Sequence, residues 1–325
     1  MVEDKFFEPP KEGEPWDTLI IGSGPSALTA AIYTTRGASS TIIVAGSAWG
    51  GQLMLTTEVD NFPGFPEGIQ GPELMEKMRK QAERFGTKIV DSDVTAVDFS
   101  VSPYKISVDG KNFTAKTVIV ATGAQTKWLN VPGEEKLRGR GVSSCAPCDA
   151  PFFKNKRVIV IGGGDAAMEE ALVLTKYASS VTIVHRRDSF RASQAMQNKV
   201  LGKDSIRTVW NSEVVEFLGD QKLEKVLLKD CTSGKTTQLE TDGAFVAVGH
   251  VPSTAIFKGS LELDEKGFIK KHERDGYHMA TSREGVFVAG DVHDTHYKQA
   301  ITAAGFGSMA ALEVLQYLDK GIPSW

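Results

Sequence analysis

The stretch Leu19-Ile-Ile-Gly22-Ser23-Gly24-Pro25-Ser26-Ala27-Leu28 decides the fold, because its construction returns at Ile159-Val-Ile-Gly162-Gly163-Gly164-Asp165-Ala166-Ala167. Both are β-branched runs that end in G-x-G-x-x-A and lead into alanine-rich, helix-forming sequence. Glycines in that pattern permit a tight strand-to-helix turn and a close backbone approach. The helix that follows points its unpaired N–H groups and the positive end of its dipole at a pyrophosphate. One copy alone reads equally well as an ordinary strand–turn–helix. Two copies, each between a strand and a helix, imply two different dinucleotides, one a redox centre and the other a hydride donor. The chain is therefore read as α/β with two Rossmann-like regions.

The strand after each turn indicates which nucleotide is held. Downstream of the second turn runs Val181-Thr-Ile-Val-His185-Arg186-Arg187-Asp-Ser-Phe-Arg191. An NAD site would place an acid near this strand end for the ribose 2′-hydroxyl. Guanidinium forks suit a 2′-phosphate instead, which selects NADPH over the alternative of a solvated basic turn. Downstream of the first turn, Thr41-Ile-Ile-Val-Ala45 ends in alanine, which leaves ribose recognition there to the backbone. Gly50-Gly51-Gln52-Leu53 then offers a flexible turn that fits along a flavin. Two more strands close on small residues, Val118-Ile-Val-Ala121-Thr122-Gly123 and Val286-Phe-Val-Ala-Gly290-Asp291. Asp291 can accept hydrogen bonds from a polyol such as ribityl; its alternative role is a helix cap.

Composition narrows the class. At 325 residues two domains are expected, and 41% hydrophobic with 24% charged residues is an ordinary globular balance. A net charge of −4, with no basic run, argues against a nucleic-acid partner. No apolar run approaches the roughly 20 residues of a membrane span. Residues 1–15 are acidic and proline-containing, without the basic and apolar regions of a secretory signal, and are read as a loosely ordered arm. Three cysteines, two of them in one C-x-x-C, suit a reducing cytoplasm better than a disulfide-stapled secreted protein.

That pair lies in Ser144-Cys145-Ala146-Pro147-Cys148-Asp149. Thiols three positions apart close a small disulfide or share a metal with a second pair. With no second C-x-x-C and no histidine cluster nearby, redox cycling is the stronger reading. The motif lowers one thiol's pKa and makes it a good nucleophile. Asp149 follows directly and is placed to exchange a proton with a departing thiolate, or else to cap the local turn. Cys231, alone in a hairpin-like stretch, is taken as incidental.

Together these segments resemble the low-molecular-weight thioredoxin reductases of bacteria, archaea and plants. The resemblance runs from Leu19 to about Leu315 through GSGPSALTAAIY, GGQLMLTTEVDNFPGF, VIVATGA, CAPCDAPFFKNK, GGGDAAMEEA, HRRDSFRAS, VAVGHVP and GVFVAGDV followed by KQAITAAGFG. It implies two three-layer ββα dinucleotide-binding domains, with an NADPH domain (127–253) inserted into an FAD domain (16–126 and 254–325). Hinges are expected at Thr126-Lys127 and Val251-Pro252-Ser253. Electrons pass in this family from NADPH to FAD, to the dithiol and then to thioredoxin's disulfide, with rotation of the inserted domain between steps.

Residue by residue, the resemblance makes Cys148 the flavin-side thiol, Cys145 the thiol that attacks the partner and Asp149 the acid/base group. Gly22, Ser23, Gly24, Pro25, Ser26, Gly51, Gln52, Asn61, Val94, Ala121, Thr122, Gly123, Gly290, Asp291, Lys298, Gln299 and Ala300 fall on FAD-contacting positions. Gly164, Asp165, Ala166, Glu169, His185, Arg186, Arg187 and Arg191 fall on NADPH-contacting ones. A cytoplasmic homodimer with no membrane or nucleic-acid partner is also implied.

Three departures stand out. Ala166 replaces a usual serine, Lys298 a usual arginine, and Pro147 the commoner threonine or valine inside the dithiol ring. Rival flavoproteins fit less well. A peroxiredoxin-linked reductase carries a long N-terminal thioredoxin-like region, for which the sequence ahead of Leu19 leaves no room. A ferredoxin–NADP⁺ reductase lacks the dithiol, and a dithiol oxidase abandons the arginine cluster. A non-catalytic flavin sensor has no need of Cys145 and Cys148.

Overall fold

In the computed structural model the chain is described over residues 9–56, 58–274 and 276–319. The first eight residues of the expected N-terminal arm lie outside the described residues. Two compact units form, one from the chain before Thr126 and after His250, the other from Thr126–His250.

The first unit is built on Trp16–Ile21, which pairs in parallel with Thr41–Val44 on one side and Lys111–Val120 on the other. Lys88–Val90 extends the sheet beyond Thr41–Val44, and Val286–Val288 pairs with the second half of Lys111–Val120. The first half of that long strand instead pairs antiparallel with Tyr104–Val108, which carries Val94–Asp98 beyond it. A strand this long can serve both because its two halves have different neighbours. Leu19, Ile20, Val118, Ile119 and Val120 are completely buried, as expected of central parallel strands covered on both faces.

Helices Pro25–Arg36, Gly71–Arg84 and Ala300–Leu318 supply the other layer of this unit. Pro25 sits at the start of the first helix, where a missing N–H removes no hydrogen bond. The last helix crosses it closely at Gly307, where a Cβ would overlap the Ser26 carbonyl. That crossing brings the segment ahead of Ala300 to the first glycine turn.

The second unit repeats the plan. Its five-stranded sheet is all parallel in the order Val142–Ser143, Gly243–Val246, Arg157–Ile161, Ser180–Val184, Ile206–Val209. Helices Asp165–Leu174 and Gln194–Leu201 belong to it. Ser212–Leu218, Lys225–Asp230 and Thr236–Glu240 form a separate antiparallel meander. Cys231 falls in the turn between the last two strands, exposed and unpaired, as the hairpin-like sequence around it suggests.

In both units the strand ahead of the glycine turn lies between the second and the fourth parallel strands of its sheet. The sheet's order reverses there, and a cleft opens at the strands' C-terminal ends. Gly22 (φ +121°) and Gly162 (φ +155°) make the turn, and a Cβ on either would overlap a backbone carbonyl of the neighbouring strand's exit, Ala121 or Ala247. By contrast, a Cβ on Gly24 meets nothing within 4 Å. Gly22→Ala should therefore lower the stability of the ligand-free chain by about 2–4 kcal/mol, through strain and a backbone clash. Gly24→Ala should cost less than about 1 kcal/mol. Urea unfolding of the two variants side by side tests the distinction, and equal losses would contradict it.

Candidate active site

At the first glycine turn, Ser23 ties three loops together. Its hydroxyl donates to the Ala45 carbonyl (2.7 Å) and accepts from the Gly50 N–H (2.8 Å). This holds the Gly50-Gly51 bend, both residues left-handed, against the helix N-terminus, with Gln52 in the short helical turn that follows. Thr122, at the exit of the neighbouring strand, donates to the Ser253 carbonyl (2.8 Å). Asn61 donates to Gln299 (3.2 Å), and Gln299 with Thr302 forms the capping box of the last helix. Lys298 adopts a left-handed φ of 49°, with its ammonium 5.8 Å from the centre of the Phe268 ring. Val94 opens the outer antiparallel strand, opposite Val108.

Asp291 is the electrostatic centre of this turn. Its Oδ1 is buried with no hydrogen-bond partner, and burial with the nearby charge of Asp294 pushes its pKa up to about 6. The cap reading is excluded, because the helix starts nine positions later under Gln299. Asp294 serves the backbone instead, accepting from the N–H groups of His296, Tyr297 and Lys298 at 2.8–2.9 Å. Burial opposes its charge, yet these donors hold its carboxyl below the ordinary range. His293, between the two acids, is pushed down to about 4 by burial and packs edge-on against Phe306.

At the second turn Asp165 plays the tying role. Its Oδ1 accepts from the Ser193 N–H (2.9 Å) and hydroxyl (2.8 Å), while Arg191 N–H donates to the Gly163 carbonyl (2.7 Å). The basic loop is thereby fastened to the helix N-terminus at Gly164, where a Cβ would again meet open space. His185 differs from the arginines beside it. It is buried, its ring lies where a Gly163 side chain would be, and its Nε2 is 3.1 Å from the Ser189 carbonyl. Burial, with the charges of Arg191, Arg187 and Arg186, lowers its pKa against the pull of that carbonyl. Arg186, Arg187 and Arg191 are exposed and make no ion pair among the described residues. Ala166 and Glu169 lie exposed on the first turns of the helix.

Cys145 and Cys148 form a disulfide with Cα atoms 5.3 Å apart. Cys145 precedes a single helical turn, Ala146–Asp149, in which Pro147 occupies an early position that needs no N–H. Pro147 is exposed while Ala146 is fully buried, so the turn is pinned from one side. Asp149 is half-buried. Burial raises its pKa against a hydrogen bond from Ser143. The Ser143 hydroxyl also accepts the Cys145 N–H at 3.0 Å.

Sequence reasoning missed Ser143, Ser193 and Asp294. For Asp294 a signal existed, since Asp-Thr-His-Tyr is a run whose first side chain can bond backbone N–H groups two and three residues on. Ser143 and Ser193 carried none, because each acts on a partner fixed by tertiary folding.

The sequence pattern of the pyridine nucleotide-disulphide oxidoreductases matches residues 16–307. A thioredoxin reductase of Streptomyces clavuligerus is 50% identical over 305 residues, covering 93% of this chain and 94% of the relative. Thioredoxin reductase 2 of Arabidopsis thaliana is 49% identical over 315 residues, with 93% and 82% covered. Among solved structures, thioredoxin reductase from Giardia duodenalis superposes with a TM-score of 0.90 at 41% identity, covering 94% of this chain and 99% of that one.

The orphaned Asp291 oxygen gives a signed expectation. A carboxyl whose pKa rises on folding favours the fold most below its ordinary value, near 3.8, and that contribution fades as pH rises through about 6. Asp291→Asn should thus stabilise the ligand-free chain by something like 2 kcal/mol above pH 6 and have little effect below pH 4. Melting curves of both proteins across that range check it; a gain independent of pH would point to packing instead.

Proposed function

The chain belongs to the pyridine nucleotide-disulphide oxidoreductase family, and from that premise we propose that it is an NADPH-dependent thioredoxin reductase working through Cys145 and Cys148. The observation that carries this reading is the disulfide, closed just ahead of the Arg157–Ile161 strand and the second glycine turn in one folding unit. Relatives of about 50% identity over nearly the whole chain carry the name thioredoxin reductase.

The family implies a flavin and a pyridine nucleotide; we assign FAD to the first turn and NADPH to the second. Gly24 and Gly164 leave open space at two helix N-termini, as a pyrophosphate requires. The buried, unpartnered Oδ1 of Asp291 calls for a hydroxyl donor, which a ribityl chain supplies. Three exposed arginines without ion pairs fit a 2′-phosphate.

Held at the first turn by residues such as Ser23, Gly24 and Asp291, FAD would supply the two-electron chemistry that links NADPH to the disulfide. Splitting the Cys145–Cys148 bond leaves two sulfurs that need protons, and Asp149 lies next to Cys148 in the chain. Its raised proton affinity lets it hold a proton nearer to neutral pH than an exposed aspartate, give it to a thiolate and take it back. Cys145, as thiolate, attacks one sulfur of thioredoxin's disulfide, and the other leaves with the electron pair of the broken bond. Cys148 then attacks Cys145, re-forming the original disulfide and releasing the partner's second sulfur. Two electrons and two protons reach thioredoxin per cycle.

A cytoplasmic homodimer belongs to the same reading. Ile301, Met309 and Leu312 are exposed at spacings that place them along one side of the last helix, which suits a second copy of the chain. No described helix is long and apolar enough to cross a membrane.

Cys148→Ser should lose NADPH-driven thioredoxin reduction by at least about a hundredfold. NADPH should still bleach the flavin of this variant, and stopped-flow absorbance resolves the two steps. Retention of full activity would sink the proposed relay. Replacing Arg186 and Arg187 by alanine should raise KM for NADPH about 10- to 100-fold and leave KM for NADH nearly unchanged, because at this exposed site the two side chains' charged hydrogen bonds together contribute about 1.5–3 kcal/mol. Steady-state kinetics with both nucleotides decide that point.

A further inference from the structure

The dithiol turn rests on the Asp165–Leu174 helix. Ala146 and Ala150 on one side share an apolar cluster with Ala167, Met168 and Ala171 on the other. Among these small residues the helix carries Glu170, whose Oε2 is buried and has no hydrogen-bond partner. Two charges act on it, those of Asp149 and Glu169, and both are negative. The elements packed on the helix also carry Arg157 and Lys199, but neither contributes a charge that acts on Glu170. Arg157 is engaged with Glu240 and Asp242.

A carboxylate in that place would have one oxygen out of water, uncompensated, and would be repelled by Asp149. Such a group keeps its proton. Burial first, then the charges of Asp149 and Glu169, push its pKa up to about 8.

We propose that Glu170 is a positioning residue of the dithiol centre, standing beside Asp149 as a neutral carboxylic acid so that Asp149 ionises during thiol exchange with no second negative charge next to it. The inference rests on the proposed acid/base role of Asp149. Asp149 is anchored by Ser143, which also holds the Cys145 backbone, so its environment is set from two sides: a hydroxyl that bonds it and a neutral acid that does not oppose its charge. When Glu170 ionises at higher pH, its charge raises the proton affinity of Asp149 and of the neighbouring sulfurs. Thiolate then becomes scarcer and exchange slows.

The test compares the flavin-loaded wild-type enzyme with Glu170→Gln, Glu170→Asp and Asp149→Asn. In the infrared, wild type should show a protonated-carboxyl C=O band that disappears as pH rises through about 8. The band should be missing in Glu170→Gln. In Asp149→Asn it should disappear about one pH unit lower, because the like charge is gone. In single turnovers, reoxidation of the dithiol by thioredoxin should slow several-fold above pH 8 in wild type. Glu170→Gln should lose that slowing, and Glu170→Asp should keep it at a shifted pH; a merely structural role would leave the pH profile unmoved.

An unchanged titration in Asp149→Asn, or a Glu170→Gln profile that superimposes on wild type, overturns the proposal. If Glu170→Gln does not fold, Glu170→Asp and Asp149→Asn carry the comparison. The infrared titration needs neither nucleotide turnover nor thioredoxin. A chain with this titration that does not reduce thioredoxin counts against the proposed function alone, and an active chain without it counts against the Glu170 assignment alone.

Discussion

Gly22 turns against the carbonyl of Ala121, and Gly162 against that of Ala247, with no room for a methyl group at either contact. In each unit this puts the exits of two adjacent parallel strands side by side and sends the following helix away with its N–H groups uncovered. Both nucleotide sites depend on that geometry. So does the position of Asp165, which needs the second helix to start where it does before it can fasten Ser193 and the arginine loop. Because the stretch after Ala121 belongs to the same cleft as the first turn, Thr122 and Gly123 are drawn in too.

What was legible in the sequence follows from range. The two glycine turns, their strands and the dithiol are local patterns, each decided by fewer than a dozen consecutive residues, and these are where sequence and structure agree. The sequence grouped His185 with the arginines after it; in the fold they are exposed and it is buried. Its ring is committed to the gap beside Gly163, more than twenty residues away in the chain, and no local pattern signals that. Asp291 shows the reverse. Its position at a strand end admitted a cap beside the favoured ligand contact, and only the location of the next helix start removed the cap. Ser143 and Glu170 carry no local signature, because each matters through a neighbour across a packed interface.

The two buried, unpartnered carboxyl oxygens among the described residues call for opposite remedies. A native fold rarely leaves such a group without recourse. At Asp291 the proposed recourse is external, a hydroxyl donor on the ligand assigned to that turn. At Glu170 it is internal, a proton retained in an apolar setting. The exposed arginines complete the contrast, since their uncommitted charge costs little in water and is available to whatever anion arrives.

The strands Ala124–Thr126 and His250–Pro252, where the chain passes from one unit to the other and back, pair with each other as a two-stranded sheet. Seen from the first unit, the intervening segment is therefore a loop whose ends are already held together. Closing a loop costs entropy that grows only as the logarithm of its length. Once that entropy has been met, the size of the insert hardly matters to its host. A whole nucleotide-binding unit can be accommodated in the middle of another at little thermodynamic penalty, and by the same reasoning it can be lengthened, shortened or exchanged in evolution without unfolding the unit that carries it.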